Sequence, residues 1–430
     1  MTTLADQEKC PETGEAVGAV VAESEDGPET GTGTAVAADV VAEIARLRER
    51  LVRLSHDIHG YAELSFEEHK AAAALADALD ESGFAVERGV AGLPTAFKAS
   101  YGTGDLVVGI CAEYDALPDV GHACGHNIIA TSALGAALGL AKVADRLGLT
   151  VKVLGTPAEE HGGGKVLMLD AGLFDDLTVA MMVHPGNADA HPADTATQGV
   201  SRWAATFTGR ASHAAAAPQL GVNAADAAVV TQVAVGLLRQ QLPATARVAL
   251  FVREGGQVTN IIPERTVVDF EVREFDLDAQ RDLHARVLAC FEAGALATGC
   301  TLEVEETEPE YAPLRQDVRL AERYAAALDR VGRPLADRSP LSGGSTDMGN
   351  VSQLLPSIHP MIAVRGSVNA PHTYGFAADA ISAEGDAAVV DGATAMALTV
   401  VSVAQDAALR AELLAEQRDR DAHTPNRSRR

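Results

Sequence analysis

Three short apolar runs in this chain each stop abruptly at polar, reactive side chains, and helical stretches lie between them. "DLVVGICAEYD" (105–115) reads as a buried strand, and helical "NIIATSALGAALGLAKVADRLG" begins at Asn127. "TVKVLGTPAEE" (150–160) is the next strand, "GKVLMLDAGLF" the next helix, and "LTVAMMVHPG" (177–186) the strand after that. Strand alternating with helix is the pattern of a parallel or mixed sheet with helices on its faces. In such sheets ligands bind in the crevice beyond the strands' carboxyl ends. Asp115, Glu159, Glu160 and His184 each follow such an end, so they are expected to converge.

The pattern changes after residue 193. "GVSRWAATFTG", "VALFVREGG", "RTVVDFEVREF" and "TLEVEETEPE" read as strands, with two helices among them. Strand-helix-strand-strand-helix-strand is the order of a small split α+β sandwich. The expectation is an α/β, mixed-sheet catalytic domain over 38–193 and 312–415, interrupted by an inserted domain over 194–311. Residues 1–37 and the polar, locally basic 416–430 read as disordered tails.

Sixty acidic residues against 34 basic ones give a formal charge of −26. That argues against nucleic acid or an anionic membrane as partner, since both need a basic surface. No apolar run suggesting a membrane span is read, nor a basic-then-apolar leader. Cys10, Cys111, Cys124, Cys290 and Cys300 are odd in number and lack disulfide-framework spacing, which fits a reduced, cytosolic setting.

The strand ends carry chemistry. "EYDALPDVGHACGHN" (113–127) holds two histidines, a cysteine and three carboxylates, more than a turn needs. Cys124 and His126 offer a thiolate and an imidazole, ligands that suit zinc and similar ions, with His122 nearby. A zinc knuckle would need a second Cys/His pair close by in sequence, and none occurs. Glu159 and Glu160 are adjacent carboxylates, costly together unless a cation lies between them or one is protonated. One can bind metal while the other takes a proton from water there. His161 has the spacing of an exposed residue. His184, a lone histidine after an apolar run, gains weight as the third such strand end. His372 lies in "NAPHTYGF" after strand "IHPMIAV", and His359 before that strand is a weaker candidate. Five ligands, Cys124, His126, Glu160, His184 and His372, exceed the four usual for one zinc and suggest two ions. Asp115 is placed to orient a histidine.

These motifs resemble the M20 family of metallopeptidases and amidohydrolases over about residues 42–405. "HDIHGYAELSFEEHK", "EYDALPDVGHACGHN", "TPAEEHGGGK", "GRASHAAAAPQLGVNAADA", "GGQVTNIIPE" and "GGSTDMGNVS" follow in the family's order. The branch resembled contains aminoacylases, auxin-conjugate hydrolases and aminobenzoyl-glutamate hydrolase. Asn127 after "CGH" and "EYDALP" in place of "DMDALP" bring the chain nearest the aminobenzoyl-glutamate hydrolase and dipeptidase-like group. The resemblance implies a zinc-peptidase-like catalytic domain and a dinuclear zinc or manganese site with those five ligands and Glu159 as general base. It also implies that the inserted domain is a lid and dimerisation module of a homodimer or dimer-based oligomer. There Asn260 would meet substrate, and His213 would reach into the partner's site to stabilise an oxyanion.

The reading is a metal-dependent amidohydrolase acting on an N-acyl or N-aroyl amino acid or a small dipeptide. The substrate carboxylate is expected to meet the lid and the loop carrying Gly344 and Ser345. Two alternatives stand beside it: hydrolytic deamination of an aryl amine at the same site, and a catalytically inactive binding protein. An inactive relative would be expected to have lost ligands, and none is lost.

Overall fold

The computed structural model describes residues 31–336 and 341–423. Its larger part is built on a six-stranded sheet in the order Ala85–Arg88, Phe97–Tyr101, Leu149–Gly155, Leu106–Ala112, Val179–Met181, Ser357–Ile358. The Phe97–Tyr101 strand runs antiparallel to both of its neighbours, and the remaining pairs are parallel. Successive residues sort to opposite faces. Ile110, Val153 and Met181 join one apolar cluster, while Cys111, Leu154 and Ala180 join the other. A sheet covered on both faces explains why these strands read as unbroken apolar runs.

The helices Gly31–Tyr61, His126–Ala141, Val318–Arg330 and Ala383–Gln405 pack together on the first face. His126–Ala141 is buried almost all round, as its uniform apolarity requires. By length and composition, Ala383–Gln405 could cross a membrane, contrary to the reading that no such run exists. Of its apolar window, 72% is buried inside the protein, the condition of a core helix.

Residues 199–311 build a second sheet, antiparallel throughout, in the order Thr301–Tyr311, Gly199–Thr208, Arg265–Glu274, Arg247–Glu254. Helices Ala224–Leu238 and Leu277–Thr298 supply its other layer, and Phe207, Phe270 and Phe291 fill the space between. This is the expected split α+β sandwich.

Helices reach into both of the expected tails. The first helix begins at Gly31, and Val36 and Ala37 are buried in the core. The last helix, Ala407–His423, runs through the segment read as a tail from 416. Glu416 pairs with Arg319, and the Gln417 amide donates to the Asp176 carbonyl at 2.9 Å. Residues 1–30 and 424–430 of those tails lie outside the described residues.

Candidate active site

The loop after Leu106–Ala112 turns into helix His126–Ala141 through Gly125, whose φ is +78°. A Cβ there would lie 2.5 Å from Pro185 Cγ, so glycine serves both the turn and the close approach. His126 is fully buried at the helix start, and its Nδ1–H donates to Asp115 Oδ1 at 2.9 Å. Asp115 Oδ2 accepts from Ser65 Oγ and from the Glu160 N–H, both at 3.0 Å. Burial alone would raise the Asp115 pKa, but His126 and these donors hold it well below the usual carboxylate range. A carboxylate on Nδ1 leaves Nε2 free as an electron-pair donor. Asp115 is thus bonded to the His126 ring on the side away from the other donors.

The turn after Leu149–Gly155 carries Glu159 and Glu160. Ala158 is left-handed at φ +60° and donates its N–H to the buried Glu68 Oε1 at 2.8 Å. At Gly164 a Cβ would fall 1.9 Å from the Pro157 carbonyl oxygen, which accounts for glycine at that position. Glu160 Oε1 lies 3.8 Å and Glu159 Oε2 4.0 Å from His126 Nε2. Burial, then Glu113 and Glu160, push the Glu159 carboxyl well above its ordinary value. Burial acts the same way on Glu160, but His372 and His126 outweigh it and lower that carboxyl.

His184 opens a short strand, His184–Gly186, which pairs in parallel with Met361–Ala363. Its Nε2 is 3.4 Å from Cys124 Sγ. His372 is left-handed at φ +67°, and its N–H donates to the Ala123 carbonyl at 2.8 Å. That bond ties the distant loop to the Cys124 loop. His372 Nε2 then stands 3.4 Å from Glu160 Oε1. A left-handed non-glycine residue costs energy and persists where surrounding contacts fix it, often at a site.

The five expected ligands fall into two donor groups: Cys124, His126 and His184, and Cys124, Glu160 and His372. Within each, the ligand atoms lie within 4.8 Å of one another, and Cys124 belongs to both. His126 Nε2 and Glu160 Oε1 are buried without a hydrogen-bond partner among the described residues. Buried polar atoms are otherwise nearly always paired. Thiol, imidazoles and clustered carboxylates with orphaned atoms fit divalent metal. All five sequence-derived ligands are brought together.

The other candidates belong to neither group, although His359 lines the same cavity as the donors. His122 is buried with Nε2 3.1 Å from the Ile58 carbonyl, outside both groups. His161 is exposed and faces Glu308 at 3.1 Å. His359 is buried, its ring 5.5 Å from that of His184. A cavity of about 460 Å³ opens over the donors and is lined by Gly344, Ser345, Arg202, Arg273, Leu314 and Met361, among others. His213 and Asn260 are exposed neighbours on the smaller layer and do not line this cavity in the single chain. His213 Nδ1 accepts the N–H groups of Ala215 and Ala216, which turns Nε2 toward other partners.

Sequence reasoning passed over four groups. Tyr311, ending the Thr301–Tyr311 strand, donates its hydroxyl to the Glu159 carbonyl at 2.8 Å. Glu113, Lys165 and Asp347 form a fully buried ion network beside the donors. Their burial is what marks them, since a buried charge needs a partner, and burial is set by the fold.

Residues 109–401 match Peptidase family M20/M25/M40. The chain is 37% identical over 374 residues to the Xaa-Arg dipeptidase of Mus musculus, covering 83% of this chain and 86% of that one. It is 33% identical over 276 residues to one subunit of the p-aminobenzoyl-glutamate hydrolase of Escherichia coli, covering 60% and 57%. A dinuclear metal-binding M20 peptidase of Bacillus subtilis shares the fold, with a TM-score of 0.63 at 22% identity, over 84% of this chain and 99% of that one. With strand-end donors converging as described, this chain belongs to peptidase family M20/M25/M40 and is a metal-dependent hydrolase of amide bonds.

Proposed function

We propose that the protein cleaves the amide of an N-acyl or N-aroyl amino acid or a small dipeptide at a centre of two divalent ions, zinc or manganese. The observation that carries this reading is the pair of donor groups sharing Cys124, with Glu159 spare beside them. When bound, such ions polarise an amide carbonyl and acidify water. Glu159 takes the proton from the attacking water and returns it to the leaving nitrogen. Tyr311 fixes the Glu159 main chain, and Asp115 holds the His126 tautomer. Arg273, whose Nη1 donates to Ser345 Oγ at 3.2 Å, and Arg202 line the cavity and suit a substrate carboxylate. The named relatives are amide-bond hydrolases, which favours this reading over amine hydrolysis or an inactive binding protein.

A second copy of the chain completes the site in this reading. Val229, Val233 and Leu237 recur at helical spacing on Ala224–Leu238 and are 57%, 59% and 69% exposed. The Arg247–Glu254 strand is a sheet edge, and it bears Phe251, 60% exposed, on the sheet face away from the helices. An apolar patch and an unpaired edge each suit association. Dimerisation would let His213 donate to the oxyanion of the partner's site. A reduced, cytosolic compartment suits the free thiol of Cys124.

The test is a hydrolysis screen of the metal-loaded protein against N-acyl amino acids, p-aminobenzoyl-glutamate and dipeptides, scored by released amine. Cleavage within one of these classes is expected. Release of ammonia alone from aryl amines would overturn the assignment.

A further inference from the structure

We propose that Glu113 is a sixth donor of the metal centre, braced from behind by Lys165 and Asp347; this rests on the metal-centre reading of the site. Glu113 follows directly on the Leu106–Ala112 strand and is fully buried. Its Oε1 accepts from Lys165 Nζ. Lys165 Nζ also donates to Asp347 Oδ1 at 2.7 Å, and the Lys165 N–H donates to Asp347 Oδ2 at 2.9 Å. The brace therefore joins a strand end, the start of helix Gly164–Asp170 and the N-cap of helix Met348–Leu354.

The other oxygen points elsewhere. Glu113 Oε2 is buried, has no hydrogen-bond partner among the described residues, and lies 3.7 Å from His126 Nε2. His126 Nε2 is itself without a partner. Glu113, His126 and Glu159 each place one ligand atom within 4.8 Å of the others, forming a third donor group that shares His126 with the first. A purely structural ion pair explains Oε1 and leaves Oε2 unexplained. The single Lys165 cation faces two carboxylates, Glu113 and Asp347. A buried acceptor facing another acceptor is costly unless a cation or a proton stands between them. A divalent ion at His126 would satisfy both atoms.

The test uses the purified full chain, stripped of metal and titrated with Zn²⁺ against a chromophoric chelator. Glu113→Gln should weaken at least one of the bound ions by about tenfold or more, at the scale set by loss of a metal-site partner. Asp347→Asn disturbs the same buried Lys165 but removes no donor, and should bind both ions as the parent does. If Glu113→Gln does not fold by circular dichroism, Glu113→Asp, which keeps the charge and draws the oxygen back by one methylene, should show the same weakening. Parental affinity in the folded Glu113 variant would overturn the proposal, as would equal weakening in Asp347→Asn. A parent protein that binds no zinc would instead sink the metal-centre reading itself.

Discussion

Glu68 offers a prediction whose sign and size both come from the structure. Its carboxylate is buried and accepts the N–H of Ala158, the strained residue that precedes Glu159. Burial first, and the neighbouring Asp115 second, push its pKa from 4.5 to about 7. Below pH 4.5 the group is protonated whether the chain is folded or unfolded, and it costs nothing. Between pH 4.5 and 7 the unfolded chain loses the proton and the folded chain keeps it, so this group's contribution to stability falls as pH rises. Above pH 7 the penalty is fully present. At about 1.4 kcal/mol per pH unit, that interval amounts to roughly 3 kcal/mol. Glu68→Gln keeps an oxygen for the Ala158 N–H and removes the charge. It should therefore stabilise the protein at pH 8 by up to about 3 kcal/mol and leave stability at pH 4.5 nearly unchanged. Urea denaturation of parent and variant at the two pH values, in one metal buffer, measures the difference. A variant no more stable than the parent at pH 8, or equally shifted at both pH values, would refute the reasoning.

Glu159→Gln should retain bound metal while kcat falls by roughly 10²–10⁴-fold, measured by metal analysis beside steady-state kinetics. His213→Ala should lower turnover by about 10²–10³ with metal content unchanged. Mixing subunits of these two variants should restore activity, since one heterodimer site is then parental at both positions, and inactivity after proven subunit exchange would place His213 outside the partner's site. Lys165→Met should destabilise the fold by about 3–5 kcal/mol, because Glu113 and Asp347 lose the cation between them. Cys290 lies in the Leu277–Thr298 helix, so Cys290→Ser should leave metal stoichiometry untouched while Cys124→Ser lowers it.

The strand-end rule located Asp115, Glu159 and Glu160 because those apolar runs stop where the sheet stops. It served His184 less directly, since that residue opens a second short strand beyond the end of the first. His372 is half exposed, and a histidine in a loop after a strand is a weaker sign than a strand end; the resemblance then sets it among the ligands. Glu113, Lys165 and Asp347 escaped notice because a charge at a strand end or helix start reads as solvated until the fold buries it. The tails were misjudged for a related reason. Helix Gly31–Tyr61 is held by burial of Val36 and Ala37, and Ala407–His423 by ties such as Glu416 to Arg319. Local composition carries neither contact, and helices of this kind owe most of their stability to tertiary packing.

The most direct test of the central claim is amine release followed as the metal-free chain is titrated with Zn²⁺ or Mn²⁺, using a substrate found in the amide screen. The account predicts negligible hydrolysis without metal and a rise that levels off at two equivalents per chain. Full hydrolysis by the metal-free protein, or a plateau at one equivalent, would contradict it.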